Sequence, residues 1–251
     1  MTRPHMRTRL TLPFVVFAAA LATIAVLVIV LALPAGDAPG TAASGAATAT
    51  PAPRAIVCVG DSITYGAGVD DPATQAWPAL LQGQLGSGIT VHNLGLSGRT
   101  LMSTGAMPYT DEPQYDQGLE IQNASYLVML GTNDAAMAGF DPDAFRNEAR
   151  QLLQAYADHA GADHVVVMLP PKIFGTTGAN GTWADRVDRN IQAELPILQE
   201  VADELGIATI DLYHFTESHP EWFPDGVHPN EEGNRQLASH IQEHLPAAFL
   251  A

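Results

Sequence analysis

Five short apolar runs constrain this chain more than any other feature. They are Ile56–Gly60, Ile89–Leu94, Tyr126–Gly131, His164–Leu169 and Ile207–Leu212. Runs of this length, rich in β-branched and apolar residues, read as strands buried on both faces. Longer stretches separate them: Trp77–Leu85, Pro142–His159, Val187–Leu205 and Asn230–Leu245 carry apolar residues at helical spacing. In the second stretch Phe145, Ala149, Leu152, Leu153 and Tyr156 fall on one helical face. Pro196 either kinks the third helix or splits it in two, and Asn230 is placed to cap the fourth. Strands alternating with helices predict an α/β fold whose parallel sheet is covered on both faces. Residues 101–117 and 172–183 show no clear period and read as long loops.

The first fifth of the chain is different material. Residues 1–11 hold Arg3, Arg7 and Arg9 and no acid, and Leu12–Leu33 is apolar apart from Pro13 and Thr23. About 20 such residues span a bilayer core as a helix. This core is longer than that of an ordinary secretory signal, so residues 1–33 read as an uncleaved signal anchor, with a cleaved signal peptide as the alternative. The arginines stay cytoplasmic and the rest is exported, giving an extracytoplasmic domain that is either tethered or secreted. Residues 34–54, rich in Pro, Ala, Gly and Thr, form a linker, and 55–251 is one globular domain.

Charge and cysteine usage exclude several classes. The formal charge is −16, and Lys172 is the only lysine. That balance argues against nucleic acid as a partner and confines membrane contact to the N-terminal segment. The lone Cys58 excludes a disulfide framework and any metal site built on cysteine pairs; it reads as a small buried hydrophobe. No H-E-x-x-H or H-x-x-E-H spacing joins the histidines, so neither metal nor other cofactor is expected.

In a parallel sheet every strand ends on the same edge, so motifs at strand ends converge in space. Four such motifs stand out: Gly60-Asp61-Ser62, Gly95-Leu96-Ser97-Gly98, Gly131-Thr132-Asn133-Asp134 and Asp225-Gly226-Val227-His228-Pro229. Acyl transfer needs a nucleophile, a base, a group that orients the base, and donors for the oxyanion. Ser62 can supply the hydroxyl, and His228 can take its proton. Asp225, three residues earlier, can hold the imidazole. The Gly98 N–H and the Asn133 amide can serve the oxyanion. Each motif alone is also an ordinary turn: Asp225-x-x-His228 can simply precede the last helix, and Asn after a strand commonly closes an Asx turn.

Taken together, G-D-S-I-T at 60–64, N-L-G-L-S-G at 93–98, G-T-N-D at 131–134 and D-G-V-H-P at 225–229 resemble the SGNH hydrolases, the GDSL esterase superfamily. The resemblance implies a flavodoxin-like α/β/α sandwich with about five parallel strands. It implies Ser62, Asp225 and His228 as a triad, and the Ser62 N–H, Gly98 and Asn133 as an oxyanion hole. G-D-S-I-T-Y-G-x-G, S-G-R-T and H-P-E-W-F-P-D-G-V-H-P are similar to bacterial carbohydrate O-acetylesterases, sialate O-acetylesterases among them. The expectation is therefore a serine esterase acting on a small-molecule or glycan ester, most readily an acetyl ester. A lysophospholipase or acyl-thioesterase activity is the alternative, and a non-catalytic glycan-binding module the more distant one. Arg99, Tyr109, Phe174 and Trp183 are candidates for contact with substrate, each with an ordinary structural role as its rival. The sequence is silent on oligomeric state.

Overall fold

The computed structural model describes residues 54–175 and 183–251. The apolar segment, the linker up to residue 53, and residues 176–182 of the second long loop lie outside the described residues. Among the described residues, no helix is long and apolar enough to cross a membrane.

Five parallel strands form one sheet: β1 (Arg54–Gly60), β2 (Ile89–Gly95), β3 (Ala124–Met129), β4 (Val165–Leu169) and β5 (Ala208–Asp211). Their order is β2-β1-β3-β4-β5, which is the flavodoxin-like order. Arg54, assigned from sequence to the linker, is already in register opposite Ile89. The apolar runs are strands because both of their faces are covered. Val57, Val59, Tyr126, Val128, Val165 and Val167 enter one core. Their neighbours Ile56, Cys58, Leu127, Met129, Val166 and Met168 enter the other. A period of two thus divides each run between two layers.

Among the described residues the α-helices are, in chain order, α1 (Ser62–Tyr65), α2 (Pro72–Gln75), α3 (Trp77–Leu85), α4 (Pro113–Glu120), α5 (Thr132–Ala136), α6 (Pro142–Ala160), α7 (Trp183–Leu205), α8 (Leu212–Thr216), α9 (Glu231–His244) and α10 (Ala247–Leu250). α6 buries the five residues that share its predicted face and packs, with α7, on the first core. α3 contributes Trp77 and Leu81 to the second core, and α9 contributes Leu237, Ala238 and Ile241. Asn230 caps α9 through the Gly233 N–H at 2.9 Å. α7 stays one 23-residue helix through Pro196, resolving the choice between kink and split in favour of continuity. The 101–117 expectation needs correction, because its end is helical. Pro113 at the first turn removes a donor that would be unpaired there anyway, so α4 begins at that residue.

The order places a switch point at β1, from which the chain passes first to β2 and then over to β3. Ligands of open α/β sheets bind in the crevice at such a point, outside the carboxyl ends of the strands. Gly60 is level with Gly95 of β2 and Met129 of β3. The turns carrying Ser62, Gly98 and Asn133 therefore leave the sheet from one level.

Candidate active site

Ser62 follows β1 directly and opens α1. As the first residue of a helical turn, its N–H has no acceptor within the helix. Asp61 caps that turn, its Oδ1 accepting from the Ile63 N–H at 2.9 Å. Ser62 is buried, with its Oγ 2.9 Å from His228 Nε2. On the other side of the ring, Nδ1 lies 2.7 Å from Asp225 Oδ2. The three side chains, separated by up to 166 positions in sequence, form one continuous hydrogen-bonded chain.

The turn holding the histidine is built by its own carboxylate. Asp225 Oδ1 accepts from the backbone N–H groups of Val227 and His228 at 2.8 and 2.7 Å. Partial burial works against the charged form of Asp225, but the His228 backbone and ring N–H groups and the Val227 N–H outweigh it and lower the carboxyl below its usual range. Gly226 sits between them at φ +84, and a Cβ there would lie 2.2 Å from the Phe174 carbonyl oxygen. The φ and the overlap both penalise a side chain. Gly226→Ala should lower the unfolding free energy by about 2–3 kcal/mol in a urea titration; an unchanged midpoint would show that the turn relaxes freely.

Gly98 has φ +82, and a Cβ there would meet the Met107 methyl at 2.6 Å. Asn133, at the start of α5, donates from Nδ2 to the Arg99 carbonyl at 3.0 Å and to Asp61 Oδ2 at 3.3 Å. The structure thus brings Asn133 against the Gly98–Arg99 turn. Both amide protons are engaged, so donation to a ligand requires the amide to share or re-aim one of them.

The rim candidates separate. Arg99 donates from Nε and Nη2 to Glu112 Oε1, at 2.9 and 2.7 Å, and from Nη1 to the Ser97 carbonyl. It is a strut between two loops. Tyr109 is corrected outright: it is fully buried, and its hydroxyl donates to the Leu94 carbonyl at 2.9 Å. An apolar ring with one satisfied hydroxyl is a core anchor, which a loop sequence does not distinguish from a rim residue. Phe174 packs on Phe223, and its N–H donates to the Gly226 carbonyl at 2.9 Å, so it supports the histidine turn. Trp183 opens α7 with half its surface exposed.

Three acids to which the sequence assigned no role shape the floor. Asp134 is fully buried, and its two oxygens accept from the Leu101 and Met102 N–H groups at 2.8 Å each, stitching the 101–117 segment onto α5. Burial pushes its carboxyl up to about 7 despite those bonds, and burial pushes Asp61 up to about 6. Glu194 of α7 is buried with neither carboxyl oxygen hydrogen-bonded. Burial, with Asp134 and Asp61 nearby, raises it well above the ordinary carboxylate range. Arg186 and Asn190, two turns and one turn earlier on the same helix, donate to the carbonyls of Ala135, Ala136 and Met137. Their i, i+4 spacing puts a polar stripe of α7 against the Asn133 turn, a signal visible in sequence only once that neighbour is known.

A parallel sheet carrying a Ser–His–Asp chain at its switch point is the architecture of a serine-type hydrolase. The chain belongs to the GDSL-like lipase/acylhydrolase family, whose model matches residues 58–236. An acetylxylan esterase from Xylanibacter ruminicola is 32% identical over 210 residues, which cover 76% of this chain and 44% of that protein. The chain thus spans less than half the length of that relative. Thioesterase 1/protease 1/lysophospholipase L1 of Escherichia coli K12 is 26% identical over 196 residues, covering 76% of this chain and 82% of the relative. The crystal structure of a lipolytic protein of the G-D-S-L family from Veillonella parvula matches with a TM-score of 0.60 at 25% identity, covering 76% of this chain and 97% of that one.

Proposed function

We propose that this chain is an exported serine esterase that removes short acyl groups, acetyl above all, from carbohydrate. The observation that carries this reading is the unbroken Asp225–His228–Ser62 hydrogen-bond chain at the sheet's switch point. Export rests on the basic and apolar run over residues 1–33.

Ser62 Oγ attacks the ester carbonyl as His228 Nε2 takes its proton. Asp225 holds the ring through Nδ1 and stabilises the imidazolium that results. The negative charge moves to the former carbonyl oxygen, which accepts from the Ser62 and Gly98 N–H groups and from a re-aimed Asn133 amide. When the tetrahedral intermediate collapses, the C–O bond to the sugar breaks and His228 gives its proton to the departing alkoxide. Water then attacks the acyl-enzyme with His228 as base, releasing the carboxylic acid and restoring Ser62.

The similarity to an acetylxylan esterase supports acetyl as the group removed, and a relative named as a lysophospholipase supports a second reading, long acyl chains. Aryl esters with acyl chains from two to about sixteen carbons separate them. Each methylene that a pocket accepts is worth about 1–3 kcal/mol, so a site matched to acetyl should show kcat/KM highest at two carbons and at least about ten-fold lower by eight. A maximum at long chains would replace this reading with the lipid one.

A further inference from the structure

We infer that the cleft beside the Ser62 turn, lined by Tyr65, Leu96, Gln114 and Gln117 between α4 and the α2–α3 segment, is a subsite for several units of an uncharged glycan chain. This rests on the reading of Ser62 as the nucleophile of a carbohydrate esterase. The cleft has a volume of about 730 Å³, within the ~300–1,000 Å³ of small-molecule sites. One acetylated sugar does not need that space.

The cleft continues the site along two paths. Tyr65 is one helical turn beyond Ser62, and its neighbour Gly66 N–H donates back to the Ser62 carbonyl at 3.0 Å. Leu96 is two residues before Gly98, and its N–H donates to the Gly60 carbonyl at 3.0 Å. A chain bearing its ester at Ser62 therefore passes over Leu96 and Tyr65 into the cleft.

Its chemistry selects the occupant. Tyr65 is among the most exposed large apolar side chains of the described residues, and a flat ring with a polar edge pairs with the C–H face of a pyranose while its hydroxyl meets sugar hydroxyls. Gln114 and Gln117 are three apart on α4 and so share a face; among the described residues neither side-chain amide has a hydrogen-bond partner. Each offers a donor pair and an acceptor to hydroxyl groups. Pro72 adds rigid apolar surface. No lysine or arginine lines the cleft, and its one charged residue, Asp71, spends its carboxylate capping α2. A polysialic or uronic chain would meet no countercharge in an already acidic domain, whereas a neutral chain meets hydroxyl partners throughout.

The test uses the full chain carrying Ser62→Ala and isothermal titration with an unsubstituted neutral hexasaccharide of the xylan type, its monosaccharide, and an oligosialic acid. Tighter binding of the hexasaccharide than of either other ligand is expected, weakened at least about five-fold by Gln114→Ala/Gln117→Ala. Tyr65→Leu, at the mouth, should give a similar loss. In the active chain, the ratio of kcat/KM on an acetylated hexasaccharide to that on an acetylated monosaccharide should fall by the same factor in the double variant. Equal affinity for hexamer and monomer, preference for the oligosialic acid, or a ratio untouched by both variants would overturn the subsite. Absence of hydrolysis of any ester by the wild-type chain would instead overturn the esterase reading, and the titration would still decide whether the cleft binds glycan.

Discussion

Ser62→Ala should lower kcat on an aryl acetate by about 10⁴–10⁶-fold while leaving the thermal unfolding midpoint within a degree or two of wild type. The expected loss is large because the proposed mechanism acylates Oγ, which lies 2.9 Å from the imidazole. Some acceleration over water should persist, since the backbone donors of the proposed oxyanion hole are untouched. His228→Ala should fall to a similar floor, and the double variant should fall no further, because residues that act as one unit are not additive. Asp225→Asn separates orientation from architecture. The amide oxygen can still accept from the Val227 and His228 N–H groups, so the turn persists. The amide nitrogen, however, donates to Nδ1 and forces the proton onto Nε2, where the ring can no longer accept from Ser62. Stopped-flow rates with aryl acetate, read beside circular dichroism melts, check all four variants. A Ser62→Ala protein that turns over at the wild-type rate would sink the mechanism.

How much of this was legible beforehand follows from what each signal depends on. The strands were readable because a strand buried on both faces must be apolar at every position, as Ile56–Val59 and Val165–Leu169 are. Ser62, Gly98, Asn133, Asp225 and His228 were readable as a group because parallel strands deliver their ends to one edge. The rim was not. Tyr109 is buried by packing into the first core, with its hydroxyl on the Leu94 carbonyl, and nothing local to Met107-Pro108-Tyr109 encodes that packing. Arg99 was open between substrate and strut until Glu112 came within 2.7 Å. Phe174 had the right character but serves the histidine turn through its backbone. The buried acids were invisible for a different reason. Asp61 and Asp134 sit in turns where acids are ordinary, and Glu194 sits in a helix of mixed polarity. Only tertiary packing removes their water.

Those acids carry the second large effect, which concerns stability rather than rate. Asp61 moves from an ordinary 3.8 to about 6 and Asp134 from 3.8 to about 7, and Glu194 rises well above 4.5, all chiefly through burial. A carboxyl raised on folding binds its proton more tightly in the folded state. Its stabilising contribution is complete below the unfolded value, near 4, and is lost as pH rises through the folded one. The full chain should therefore be several kcal/mol less stable to urea at pH 8 than at pH 5. Asp225, lowered on folding, acts in the opposite sense, but only as pH falls below about 4, outside this window. Charged groups away from Glu194 are common to wild type and variant and cancel in the comparison. Glu194→Gln keeps the shape and removes the proton equilibrium. Each unit of pH over which a folded carboxyl keeps a proton that the unfolded chain releases is worth about 1.4 kcal/mol. The stability difference between pH 5 and pH 8 should accordingly shrink in the variant. Glu194→Leu distinguishes packing from titration: it removes the same pH dependence while altering shape, so its absolute stability can differ although its slope should match that of the glutamine variant. A wild-type slope retained in both variants would mean that Glu194 does not keep its proton in the folded protein.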